Sequence, residues 1–149
     1  MSDDGPPSYA GFVTRATAFV LDEVIVLVVG VVGVIGAVLV LDAVIPGGVT
    51  IDLASILGAA ACGAVLSTAY FVGFWSLAGQ TPGMRLMGVV VVPDAAPRLS
   101  VWRGLLRMVG VLVCWLTLGL GFALVLVDDR RQGLHDRIAG TLVLYGRED

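Results

Sequence analysis

"VIVLVVGVVGVIGAVLVL", residues 24–41, decides the class of fold. No charge interrupts these 18 residues. At 1.5 Å per residue, a helix of this length nearly covers the roughly 30 Å of hydrocarbon in a bilayer. Such a medium offers the backbone no hydrogen-bond partners, so the segment has to satisfy its own amides as a helix. Two further apolar stretches follow, "LASILGAAACGAVLSTAYFVGFWSLA" at 53–78 and "MVGVLVCWLTLGLGFALVLV" at 108–127.

Composition agrees. The chain has 149 residues, enough for one domain, of which 58% are hydrophobic and 14% charged; its mean hydropathy is +0.97. A soluble domain of this size cannot bury so much apolar surface. Glycine and alanine clusters, "GVVGVIGA" at 30–37 and "GAAACGA" at 58–64, suit close helix approach in lipid, although neither has the strict G-x-x-x-G spacing. The leader "MSDDGPPSY" is acidic where a signal peptide is basic, so the first apolar segment is expected to remain as an anchor. The chain divides into a polar tail at 1–8, a membrane domain at 9–145 and a polar end at 146–149.

Several functions are disfavoured. Cys62 and Cys114 both fall inside apolar segments and read as small buried hydrophobes. No metal-ligand spacing occurs, and no cofactor is implied. Nine scattered arginines and a net charge of −3 do not make a nucleic-acid surface. Ser55, Ser67 and Thr68 have no base nearby in sequence and the chain has a single histidine, so an enzyme is not expected. "GQTPGMR", 79–85, is glycine-rich but lacks the spacing and lysine of a phosphate loop. It reads as a turn: Gly79 ends the second helix, and Thr81 with Pro82 starts the next element.

Arginine placement sets the orientation. Arg15 precedes the first span, Arg85, Arg98, Arg103 and Arg107 lie in 79–107, and the 42–52 loop has none. The positive-inside rule puts the N-terminus and the 79–107 loop in the cytoplasm of a plasma-membrane protein. Arg130, Arg131, Arg137 and Arg147 then pose a conflict. A full crossing by 108–127 carries them outside, whereas a re-entrant turn at Gly119 and Gly121 keeps them inside. Length favours the crossing and charge favours the return. The inner loop reads as strand, turn, strand over "MRLMGVVVV", "PDAAP" and "RLSVW". Ser100 is placed to cap a helix carrying Arg103 and Arg107 on one face. "GTLVLYG", 140–146, reads as a strand completing a small cytoplasmic sheet. "DDRR", 128–131, reads as a solvated charge run.

"RATAFVLDE", 15–23, then stands out at the head of the first span. Arg15 and Asp22 are two turns apart and share a helix face. Asp22 with Glu23 at the membrane interface, and Asp22 inside the membrane and paired, are both open readings; the second is demanded wherever the charge lies in hydrocarbon. His135 beside Asp136 reads as a surface or capping residue, with a proton relay as the alternative.

"YAGFVTRATAFVLDEVIV", "GQTPGMRLMGVVVV" and "RQGLHDRIAGTLVLY" together resemble the RDD-domain membrane proteins, a family named for one arginine and two aspartates. The resemblance covers roughly 9 to 145. It implies that the arginine is Arg15 and the aspartates are Asp22 and Asp136, with Gly79, Gln80, Thr81 and Gly83 as the turn motif. It further implies a bacterial multi-pass protein with a role in transport. The expectation is therefore an all-α membrane bundle with two clear spans, a third apolar segment that crosses or re-enters, and a small cytoplasmic β and amphipathic part. Arg15, Asp22 and Asp136 form the expected polar cluster, flanked by Glu23, His135 and Arg137. Function is expected to be transport of an ion or small solute; the alternative is a scaffold or assembly partner in which the same cluster is structural. The bilayer, and either further copies of the chain or another membrane protein, are the expected partners.

Overall fold

The computed structural model describes residues 8–46, 48, 50–94, 96 and 98–146. Most of the two polar ends read from the sequence, 1–7 and 147–149, and two residues of the "PDAAP" turn lie outside these.

Two long helices dominate. α1 spans Phe12–Val44 and α2 spans Leu53–Ala78. The 33 residues of α1 extend about 50 Å, well beyond the hydrocarbon thickness. Its surplus is the first three turns, which pack against the rest of the protein. From Val24 onward it presents large side chains outward, Leu27 at 64% and Val29 at 65% exposure among them. That surface suits lipid and would be an aggregation hazard in water. α2 starts with a capping box: the Asp52 carboxylate accepts from the Ser55 N–H at 2.8 Å, and the Ser55 hydroxyl accepts from the Asp52 N–H at 3.0 Å. It ends at Gly79, whose φ of +70° is the left-handed conformation that stops a helix.

The turn then proceeds as read from "GQTPGMR". Thr81 caps α3, Pro82–Leu86, accepting from the Met84 N–H at 3.3 Å, with Pro82 in the first turn. β1, Val89–Pro93, follows. The strand–turn–strand reading of the loop is only half right. "MRL" belongs to α3, and the partner of β1 is not "RLSVW" but β2, Thr141–Tyr145, paired antiparallel with Val91 opposite Val143. Leu99 is buried, and Ser100 caps α4, accepting from the Arg103 N–H at 3.4 Å. That helix claims the residues a second strand would need.

α4, Val101–Leu116, is about 24 Å long, too short to cross alone. Leu118 and Gly119 both have positive φ, and the chain bends by 112° between α4 and the segment 120–126. That segment comprises α5, Leu120–Ala123, and a 3₁₀ turn over Leu124–Leu126. α6, Leu134–Ala139, folds back along α4. Gly110 makes this possible, since a Cβ there would lie 2.5 Å from the His135 Cα. The return is tied down where α6 ends: Arg103 Nη1 donates to the Gly140 carbonyl at 3.1 Å, and the Asp94 N–H donates to the same carbonyl at 3.0 Å.

The N-terminus joins the same end of the bundle. The Ala10 N–H donates to the Val143 carbonyl at 2.9 Å, and the Tyr145 N–H to the Ser8 carbonyl at 3.0 Å. Below the spans lies one core that includes Ala18, Phe71, Trp75, Met84, Val89, Val91, Leu99 and Val143. Phe19 stacks on Phe71 at 5.7 Å between ring centroids, and Phe71 meets Trp75 at 5.4 Å. Both ends of the third apolar segment are thus bonded to one body. This geometry is a re-entrant hairpin rather than a crossing.

Candidate functional site

The two aspartates drawn together by the sequence reading occupy separate sites. Asp22, completely buried on α1, takes its partners from α2 and the "GQTPG" turn. Its carboxylate accepts from the Tyr70 hydroxyl at 2.9 Å, the Gly83 N–H at 2.8 Å and the Thr81 hydroxyl. Gly83 is there because nothing larger fits: a Cβ would sit 2.3 Å from the Ala18 carbonyl oxygen and 2.8 Å from the Asp22 Cγ. The turn motif is therefore a docking plate for α1. Thr81 both caps α3 and donates to Asp22, so one side chain links the local turn to the long-range contact.

Arg15 instead reaches the tail. Its Nη2 donates to Asp136 Oδ2 at 2.7 Å and its Nη1 to the Arg131 carbonyl at 2.7 Å. Asp136 is completely buried and has a second guanidinium, Arg107 from α4, on its other oxygen. The Gly133 N–H adds a bond at 3.0 Å, and His135 Nε2 lies 3.4 Å away. Arg107 also donates to the Thr141 hydroxyl at 2.8 Å, and its guanidinium carbon sits 4.8 Å from the centre of the Trp75 ring. The expected arrangement of two carboxylates around one guanidinium is thus corrected to one carboxylate between two guanidiniums. The reason is distance: seven residues on a helix put Arg15 and Asp22 about 10 Å apart, beyond ion-pair reach.

The electrostatics follow from this packing. Burial alone would raise the Asp136 carboxyl, but the Arg107 and Arg15 guanidiniums and the Gly133 N–H hold it at about 2. Burial, reinforced by the same two arginines, pushes His135 down to about 3 against the opposing pull of Asp136. At neutral pH the imidazole is uncharged and Asp136 is ionised. A histidine in that state is a packing residue whose Nδ1 lies 3.8 Å from the Cys114 sulfur.

Of the flanking residues Glu23, His135 and Arg137, only His135 joins the site, beside Asp136. Glu23 faces outward. Arg137 turns away from Asp136 and pairs with Asp128. Gln80, within the turn motif, is half-buried. "DDRR" is not merely a solvated run: Asp128 also accepts from the Gln132 N–H at 2.8 Å, and the Arg131 carbonyl receives Arg15. Arg107, Tyr70, Trp75 and Thr141 were not singled out as site residues. For Arg107 a signal existed, because Gly104, Arg107, Gly110 and Cys114 form one buried face of α4 at spacings of three and four. Among the described residues, His, Cys, Asp and Glu form no group of three that could hold a metal.

The fold and site define a class: a helical membrane protein with two long spans and a bent re-entrant pair, locked at one end by buried aspartates. The chain belongs to the RDD family, whose model matches residues 9–140. The uncharacterized protein RP437 of Rickettsia prowazekii (strain Madrid E) is similar at 28% identity over 75 residues, half of this chain and 42% of that protein. No solved structure matches.

Proposed function

We propose that this protein is a non-conducting, non-enzymatic membrane module in which both aspartate sites are structural locks, and that it acts as a scaffold or assembly partner. The observation that carries this is saturation. Each oxygen of Asp22 and each oxygen of Asp136 already accepts from a protein donor, which leaves little for a transported cation to bind. With Asp136 held at about 2 and His135 at about 3, neither exchanges a proton near neutral pH. Eight arginines, from Arg15 to Arg137, belong to the end of the bundle opposite the 45–52 loop; the positive-inside rule supports a cytoplasmic placement of that end.

A second reading, transport of an ion or small solute by an oligomer, is favoured by the uncovered surfaces of α1 and α2, which further copies or another membrane protein would fill. Flux through the purified protein in liposomes separates the two. The scaffold reading expects ion uptake no faster than in empty liposomes. Uptake that Asp22→Asn abolishes in folded protein would establish transport instead.

A further inference from the structure

α4 carries its apolar residues on the outside. Val101, Trp102, Val109, Leu112, Trp115 and Leu116 are all more than half exposed, and the helical period puts them on one side. The buried side is small or polar: Gly104, Arg107, Gly110 and Cys114. The charged residues turn inward, Arg103 to the Gly140 carbonyl and Arg107 to Asp136 and Thr141. In water the outer side would be one continuous apolar patch. Val101 and Leu105 share a groove with Val65 and Thr68 of α2, and Val65 is itself exposed. The stripe therefore continues the lipid-facing surface of α2.

The direction of α4 follows from its neighbours. Phe19 stacks on Phe71, which sets Phe19 of α1 level with Phe71 of α2. A Cβ on Gly104 would meet the Val72 side chain at 3.1 Å, so α4 passes α2 at that same level. From Gly104 to Leu118 a helix advances about 21 Å. Run along α1 toward the 45–52 loop, it would bring Leu118 level with Gly33, where an added Cβ meets no atom within 4 Å among the described residues. Run the opposite way, it would overshoot Phe12, the start of α1. Leu118 and Gly119 instead line one cavity with Phe12, Arg15 and Phe19. α4 therefore runs across the two spans. It does so about 6 Å below Glu23, the outward-facing charge beneath the apolar run of α1, and that distance is about the thickness of a headgroup layer. The apolar side lies opposite α6, whose outer side carries Arg137 paired with Asp128; α6 faces water and the outer side of α4 faces away from it. We propose that α4 lies in the plane of the membrane, in the leaflet on the side of the N-terminus, with its apolar side among the acyl chains. Trp102 and Trp115 then share one depth, in the interfacial zone that tryptophan favours. The hairpin re-enters only that far. This placement is independent of the scaffold reading, which flux tests.

Spin labels measure the depth. In the full chain with Cys62 and Cys114 replaced by serine, Trp102→Cys, Val109→Cys and Leu116→Cys each carry a nitroxide in phosphatidylcholine vesicles. Collision with oxygen, which concentrates in hydrocarbon, and with a water-soluble nickel chelate gives the depth of each label. Val24→Cys and Val31→Cys on α1 calibrate the scale, since seven residues of a spanning helix differ by about 10 Å. The three α4 positions should agree within about one helical turn, roughly 5.4 Å, with oxygen favoured over nickel at each. A depth that grows by about 20 Å from Trp102→Cys to Leu116→Cys overturns the proposal in favour of a deep limb. Nickel favoured over oxygen at all three would put this side in water, and low collision with both would mean that protein, such as a second copy, covers it; either result also overturns the proposal. The unsubstituted protein supplies a check free of labels. Phosphatidylcholine brominated close to the headgroup should quench the emission of Trp102 and Trp115 more than lipid brominated near the chain ends, and the reverse order would contradict an in-plane helix.

Discussion

Asp136 accepts from two guanidiniums at once, so its removal and the removal of either arginine are unequal events. Asp136→Ala leaves Arg15 and Arg107 facing each other with no anion between them. A buried charge left unpaired typically costs about 3 to 5 kcal/mol. Arg15→Ala should cost less, because Arg107 still neutralises the carboxylate. Paired unfolding measurements in detergent on the two single variants and the double should show the double falling short of the sum by about 0.5 to 3 kcal/mol. Strict additivity would mean that the contact contributes nothing. At this scale the sequence was partly legible. Arg15, Asp22 and Asp136 stand out through their motifs; the two aspartates are buried hydrogen-bonding centres, and Arg15 is a half-buried one. Their partners do not stand out, because Tyr70 and Arg107 look like an interfacial aromatic and a helix-face cation until α2 and α4 are placed.

At the scale of elements, α6 is the piece held by its neighbours. Six residues are too few for a helix to persist alone, so its order depends on docking against Gly110 of α4. His135 makes that docking sensitive to acid. Its folded value of about 3 lies below its ordinary 6.5, so below 6.5 the undocked tail takes up a proton that the docked one refuses. Stability is complete above 6.5 and declines as pH falls toward 3. Between pH 7 and pH 5 the loss should be about 2 kcal/mol. Asp136, held at about 2, stays ionised throughout this window. A lower thermal midpoint in detergent at pH 5 than at pH 7, flattened in His135→Gln, is the expected result; an unchanged midpoint in the unsubstituted protein would show that the imidazole is not buried. The capping of α4 by Ser100, the stop at Gly79 and the strand in "GTLVLYG" were all readable locally. The failure of "RLSVW" as a strand was not, since it turned on competition with a helix beginning at Val101.

For the whole molecule, the hydrogen bonds joining Ser8, β1 and β2 require that the N-terminus, the 79–100 loop and the tail share one side of the membrane. In a background with Cys62 and Cys114 replaced by serine, an impermeant thiol reagent should label Thr50→Cys in intact cells. Ala96→Cys and Gly146→Cys should label only after the cells are opened. Opposite behaviour of positions 96 and 146 would restore a third crossing; inversion of all three would reverse the orientation. The two spans follow from the sequence by itself, because a helix in lipid closes its hydrogen bonds between residues four apart and needs only a long apolar run. The third segment did not yield to the same reading: its length permits a crossing and its flanking arginines oppose one. Tertiary structure decided it, through pairings such as Pro93 with Thr141 and Arg15 with Asp136. These contacts join residues far apart in the chain, so neither partner's local pattern contains them.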